Sequence, residues 1–173
     1  MVADWRKRWD NGEFPFYYVQ IAPYGSPVSY VPYIPFLREA QLNSLNVIPN
    51  SGMVVNVDLG AENFNHPPFK EKVADRMLAM VLNRSYGFKD LTYQGPAYKA
   101  LNVQGNTAFL SFDHAEKGLK FSAENNANFE LAGADKKFYP ASAVKIKGNT
   151  VEISASEVSK PIAVRYAFKG WVV

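Results

Sequence analysis

The sequence predicts an α/β unit over residues 1–90 followed by an all-β unit, sandwich or jelly-roll-like, over residues 91–173. Three observations predict it. Extended and helical signals alternate as far as Tyr86, in the order helix, strand, helix, strand, helix. Beyond Gly95 no helical period recurs, and short alternating runs follow one another at a spacing of roughly ten residues. The composition also changes between Tyr86 and Gln94. Residues 1–90 hold eight of the eleven prolines and nine charges of each sign, whereas the remainder carries ten basic and seven acidic residues, which is the whole net charge of +3.

Each element of the first part has its own signal. VADWRKRWD, residues 2–10, reads as the end of an amphipathic helix with Trp5 and Trp9 four apart on one face and Gly12 able to stop it. FPFYYVQIAP, residues 14–23, is an aromatic and β-branched run bounded by prolines, which suits a strand buried on both faces. The next stretch, PYGSPVSYVPYIP, is too rich in proline for a helix or a central strand. FLREAQLNSL, residues 36–45, has good helix formers with Leu37, Ala40, Gln41 and Leu45 toward one side. GMVVNVDLG, residues 52–60, is a second buried-strand candidate. The clearest helix spans residues 69–86: Pro67 and Pro68 precede it, Val73, Met77 and Val81 repeat every four residues, and Gly87 closes it.

The second part offers AYKALNVQ, NTAFLSFDH, GLKFSA, NFELAG, AVKIKG, TVEISA and PIAVRYAF as strands, separated by GN, EKG, GADKK and KGN turn signals. AVKIKGNTVEIS reads as a tight hairpin about Gly148 and Asn149.

Composition limits the function classes. With 47% apolar and 20% charged residues the chain can bury a core. The small net charge gives no electrostatic footprint for nucleic acid or an anionic membrane, and no apolar run has the ~20 residues of a membrane helix. The absence of cysteine excludes disulfides, thiolate catalysis and cysteine metal sites, and two histidines, His66 and His114, leave little for a histidine metal centre. No metal and no cofactor is expected.

In an open α/β sheet, reactive groups collect in loops after the carboxyl ends of the strands. VNVDLGAENFNHPPFK occupies such a place, between a strand and the strongest helix, and sets Asp58, Glu62, Asn63 and Asn65 within eight residues of His66. An imidazole there suits a general base, since its ordinary pKa of about 6.5 lies near working pH. A loop histidine capping the helix is the plainer alternative. His114, beside Asp113 and Glu116, reads as a solvated turn residue. Arg38, Glu39 and Gln41 either line a pocket or pair on a helix surface, and the aromatics of FPFYYVQ and PYGSPVSYVPYIPF either stack on sugar or pack the core. No G-x-S-x-G elbow and no glycine-rich phosphate cradle is present. The chain therefore offers a base without a nucleophile.

The succession DWRKRW, FPFYYVQIAPY, FLREAQ, GMVVNVDLG and NHPPFKEKVADRM resembles the C-terminal half of the catalytic domain of sialate O-acetylesterases, members of the SGNH (GDSL-type) hydrolases. The stretch from GLKFSAENNANFELAG to AVRYAFKGW is similar to the β-rich region that follows in the same enzymes. The resemblance implies a three-layer α/β/α, flavodoxin-like fold in which a serine attacks an acetyl ester and a histidine just before a proline and a helix takes its proton. His66 matches that histidine. The family's orienting aspartate, three residues earlier, is here Asn63, which implies a Ser and His dyad with a backbone or amide orienter such as Asn63, substitution by Asp58 or Glu62, or reduced activity. An amide can fix a tautomer but cannot stabilise imidazolium by charge.

The family's nucleophile and oxyanion donors belong ahead of DWRKRW, so the chain reads as an internal fragment that carries the base alone and is expected to be inactive by itself. Arg38 and Gln41 are expected to support the loop or the substrate carboxylate. The partner implied is O-acetylated sialic acid or another acetylated glycan, in a periplasmic or extracellular setting. A non-catalytic carbohydrate-binding or structural module, favoured by Asn63, is the alternative.

Overall fold

The computed structural model describes residues 1–25, 33–66, 68–120 and 128–172. The chain divides into two compact units, Met1–Gln94 with Lys169–Val172, and Gly95–Phe168. Among the described residues no helix is long and apolar enough to cross a membrane.

The first unit is built on helix α1 (Val2–Trp9), strand β1 (Phe16–Val19), helix α2 (Ile34–Ser44), strand β2 (Ser51–Val54) and helix α3 (Lys70–Ser85). β1 and β2 run parallel, with Phe16 opposite Ser51 and Val19 opposite Val54, so α2 lies on the crossover between them. Alternation along β1 sends successive side chains to opposite faces. Tyr17 reaches α3, its hydroxyl 2.8 Å from Ser85 Oγ and its ring 5.6 Å from the Arg84 guanidinium. Tyr18 reaches α2, donating to the Gln41 carbonyl at 2.7 Å, while Phe16 packs at 6.0 Å against Trp5 of α1. Helices thus cover the strands on both faces.

At Gly52 the side chains of α3 lie close to the strand: a Cβ there would come within 2.6 Å of Met80 Sδ and 2.8 Å of Arg84 Nη1, so a larger residue would have to displace those side chains. The Arg84 guanidinium adds a hydrogen bond to the Ser51 carbonyl.

α1 ends where the sequence expects, with Asp10 as its left-handed C-cap at φ 48°, two residues before Gly12. The strands depart from expectation. β1 is half-buried rather than buried on both faces, and it spans four residues because the chain leaves the sheet after Gln20 N–H bonds the Val54 carbonyl at 2.9 Å. β2 is buried throughout but stops at Val54, since a turn closed by Leu59 N–H on the Asn56 carbonyl replaces the second half of the expected strand.

The inward face of α2 is the largest departure. It carries Ile34, Pro35 and Arg38, while Leu37 is 45% exposed. Arg38 is only 5% exposed and turns inward because backbone carbonyls await it, Lys169 at 2.6 Å and Gly170 at 3.5 Å. Apolar periodicity does not register such partners.

The second unit is antiparallel throughout. Strands β3 (Ala97–Gln104), β4 (Thr107–Asp113), β7 (Ala143–Lys147) and β8 (Thr150–Ser154) form one sheet in the order β3-β4-β8-β7, and β5 (Phe129–Ala132), β6 (Phe138–Pro140) and β9 (Ala163–Tyr166) a second in the order β6-β5-β9. The hairpins β3-β4 and β7-β8 turn through two residues each. Gly105 and Gly148 hold φ of 60° and 63°, the left-handed start that such tight loops need. Ala108, Leu110, Val151 and Ile153 of the first sheet and Phe129 and Leu131 of the second share one buried cluster.

Alternation along β4 and β8 selects these residues. On the three-stranded sheet Arg165 pairs with Glu130 at 2.8 Å and lies 4.1 Å from the Phe138 ring. β6 has no counterpart among the expected strands, being three residues long and ending in proline. Of the expected strand GLKFSA, residues 118–120 are not extended into a strand and residues 121–123 lie outside the described residues.

Candidate functional site

Residues 55–69 leave the buried end of β2 and enter α3 at Lys70, and they carry the candidate base. Leu59 is buried and anchors the middle of this segment. Gly60 lies so close to Pro23 that a Cβ would come within 2.2 Å of its carbonyl oxygen and 2.9 Å of the Trp171 ring. Gly25 N–H donates to the Glu62 carbonyl at 2.8 Å, and Phe64 N–H closes a small turn on Ala61 at 3.3 Å. Asn56 is buried with its Oδ1 unpaired among the described residues, a desolvation cost of about 1–3 kcal/mol.

His66 follows this turn as an exposed side chain four residues ahead of α3. Glu62 and Asn63 are exposed in the same turn. Among the described residues no side-chain hydrogen bond joins His66 to Asp58, Glu62 or Asn63.

Asp58 is engaged elsewhere. Arg76 of α3 grips both of its oxygens, Nη1 to Oδ1 at 2.7 Å and Nη2 to Oδ2 at 2.6 Å, and Nη1 also donates to the Val55 carbonyl at 2.7 Å. The hydrogen bond from Arg76 holds the Asp58 carboxyl below its ordinary pKa against the opposing effect of partial burial, so it is an anion at neutral pH. A partly exposed pair of this kind stabilises a fold by only ~0.2–1 kcal/mol. Its two-pronged geometry is the larger consequence, because it fixes the start of the loop on the helix that ends it.

Sequence reasoning missed Arg76. The signal was its place three residues after Val73 and four before Met80, on the inward stripe of α3, where an arginine needs an anion or carbonyls to meet.

Arg38 and Gln41 stand on α2, away from this loop in sequence, and both bond backbone. Arg38 bonds the carbonyls of Lys169 and Gly170, and burial pushes its guanidinium pKa down. Gln41 Oε1 accepts from Ile21 N–H at 2.9 Å. Gln20, buried beside them, donates from Nε2 to the Arg38 carbonyl at 3.0 Å. These contacts hold the chain where it leaves β1. His114 stands in the second unit, exposed, with a left-handed φ of 58°. Asp113 beside it pairs with Lys99 at 2.7 Å. Among the described residues no three His, Asp or Glu side chains converge as metal ligands.

No family model matches the chain. A crystal structure of a carbohydrate acetylesterase from Xanthomonas citri superposes with a TM-score of 0.83 at 29% identity, covering 98% of this chain and 39% of that one. The sialate O-acetylesterase of Mus musculus is 26% identical over 191 aligned positions, that of Rattus norvegicus 27% and that of Homo sapiens 24%, each covering 99% of this chain. Over nearly its whole length the chain is similar to sialate O-acetylesterases, at 24–27% identity. It spans about a third of the length of these relatives, 35% of the mouse protein and 36% of the human one.

Proposed function

We propose that this chain is the base-bearing part of a carbohydrate esterase that removes O-acetyl groups from sialic acid or a related glycan. The observation that carries the reading is the match of 98–99% of the chain to acetylesterases, with His66 standing in the loop between β2 and α3. Residues 1–90 correspond, on this reading, to the later half of a three-layer α/β/α SGNH-hydrolase domain and residues 91–173 to a β-sandwich that follows it. The serine nucleophile and the oxyanion donors come from outside these 173 residues. The setting is periplasmic or extracellular.

The reaction needs two displacements at one carbonyl carbon. The serine hydroxyl attacks the acetyl carbonyl while a ring nitrogen of His66 takes its proton, and the tetrahedral intermediate expels the sugar oxygen, which receives that proton. Water then attacks the acetyl-serine, again giving its proton to His66, and acetate leaves as the serine oxygen is reprotonated. Asn63 offers an amide in place of the family's carboxylate, able to accept a hydrogen bond from the imidazole without neutralising its charge. Arg38 and Gln41 act as loop supports, consistent with the backbone atoms they bond.

The test is acetate release from O-acetylated sialic acid by the reading frame extended on its N-terminal side. The expected result is one acetate per free sugar hydroxyl formed. Saturable glycan binding with no acetate released would replace this reading with that of a carbohydrate-binding module, the role that Asn63 would suit.

A further inference from the structure

We propose that Arg76 is a positioning residue for His66, acting through the frame of the loop rather than by touching the imidazole. The proposal rests on the esterase reading for its catalytic consequence and on the geometry alone for its structural one.

His66 lies eight residues beyond Asp58 and ten before Arg76, so the bond between those two residues closes a loop with the histidine near its middle. The same guanidinium holds the Val55 carbonyl, the first residue beyond β2. One side chain in the second turn of α3 therefore fixes where the segment leaves the sheet and where it rejoins the helix. Between those points Leu59 is buried, Gly60 abuts Pro23, and the Glu62 carbonyl is bonded by Gly25.

The imidazole itself has no hydrogen bond to Asp58, Glu62 or Asn63 among the described residues. Its location is consequently set by the backbone that carries it, and that backbone is fastened by Arg76. The engagement of both Asp58 oxygens also gives that carboxylate a structural task, and it leaves Asn63 and Glu62 as the neighbours free to meet the ring.

A base must lie within hydrogen-bond reach of the proton it takes, and misplacement by about 1 Å can cost ~10²-fold in rate. Lysine at position 76 would keep the charge but lose the fork that spans both oxygens of Asp58.

The chain contains two histidines, so ring-selective NMR of the full 173 residues reads His66 directly with His114 as an internal control. Arg76→Gln is expected to shift and broaden the His66 ring signals and leave those of His114 unmoved, with Arg76→Lys intermediate. If Arg76→Gln does not fold, Arg76→Lys against the unaltered chain makes the same comparison. His66 signals unchanged in the folded variants would overturn the proposal.

In the extended, ester-hydrolysing protein, Arg76→Gln is expected to lower kcat by about 10- to 100-fold with KM within about twofold, and Arg76→Lys to recover part of the loss. An unchanged kcat beside an inactive His66→Ala variant would overturn the positioning role and leave the esterase reading standing. Absence of any ester hydrolysis would remove that reading, and the NMR comparison would still decide whether Arg76 positions His66.

Discussion

On the proposed esterase reading, replacing His66 by alanine is expected to lower kcat for an acetyl ester by at least about 10³-fold, with a much smaller change in KM. A serine hydroxyl is a poor nucleophile until a base takes its proton in the transition state. The same base must return that proton to the departing sugar oxygen, so both halves of the reaction lose it together. A factor of 10³ corresponds to about 4 kcal/mol of transition-state stabilisation at 1.36 kcal/mol per tenfold. His114→Ala is the matched control, since that residue stands exposed in a turn of the β-rich unit, and it is expected to leave kcat unchanged. A His66→Ala variant that keeps its rate within tenfold would remove His66 from the mechanism.

The largest expected effect on stability lies in the β-rich unit. Leu131 of β5 is 0% exposed and belongs to the cluster it shares with Ala108, Leu110, Val151 and Ile153 of the other sheet. Leu131→Ala removes three carbon atoms from the centre of that cluster, and the surrounding strands are tied by ladders that resist collapse into the void. The expected cost is about 2–5 kcal/mol, a large share of the ~5–15 kcal/mol that holds an ordinary domain folded. Urea unfolding reads this as a lower midpoint with little change in slope. Tyr98→Ala, at a site 63% exposed on β3, is expected to change stability by no more than ~0.5 kcal/mol. Equal losses at the two positions would contradict the placement of the core.

What was legible in the sequence was what local pattern encodes. β3 occupies residues 97–104 as expected, and the turns at Gly105 and Gly148 follow from glycine next to asparagine between alternating runs. α3 differs from its expected bounds by one residue at each end, because its apolar period is long and proline and glycine flank it.

Less legible were features set by partners distant in the chain. The inward turn of Arg38 depends on carbonyls more than 130 residues away. The early end of β2 goes with the turn from Asn56 to Leu59 and with the bond from Arg76, twenty-one residues on, to the Val55 carbonyl. Three-residue β6 has too little length to show a period.

The candidate site divides in the same way. His66 is marked by its position after a strand and before a helix, together with the resemblance of its surroundings. Arg76 is not, since one arginine among helix-forming residues carries no sign of what it grips.

The most direct test of the central claim is covalent capture of the nucleophile by an organofluorophosphonate, which reacts with a serine only where a base activates it. In the extended protein the label is expected on a serine outside these 173 residues, at a rate that His66→Ala lowers by at least about 10²-fold, while the 173-residue chain alone takes no label. Labelling of a serine within the chain, or labelling that proceeds at full rate without His66, would contradict the account.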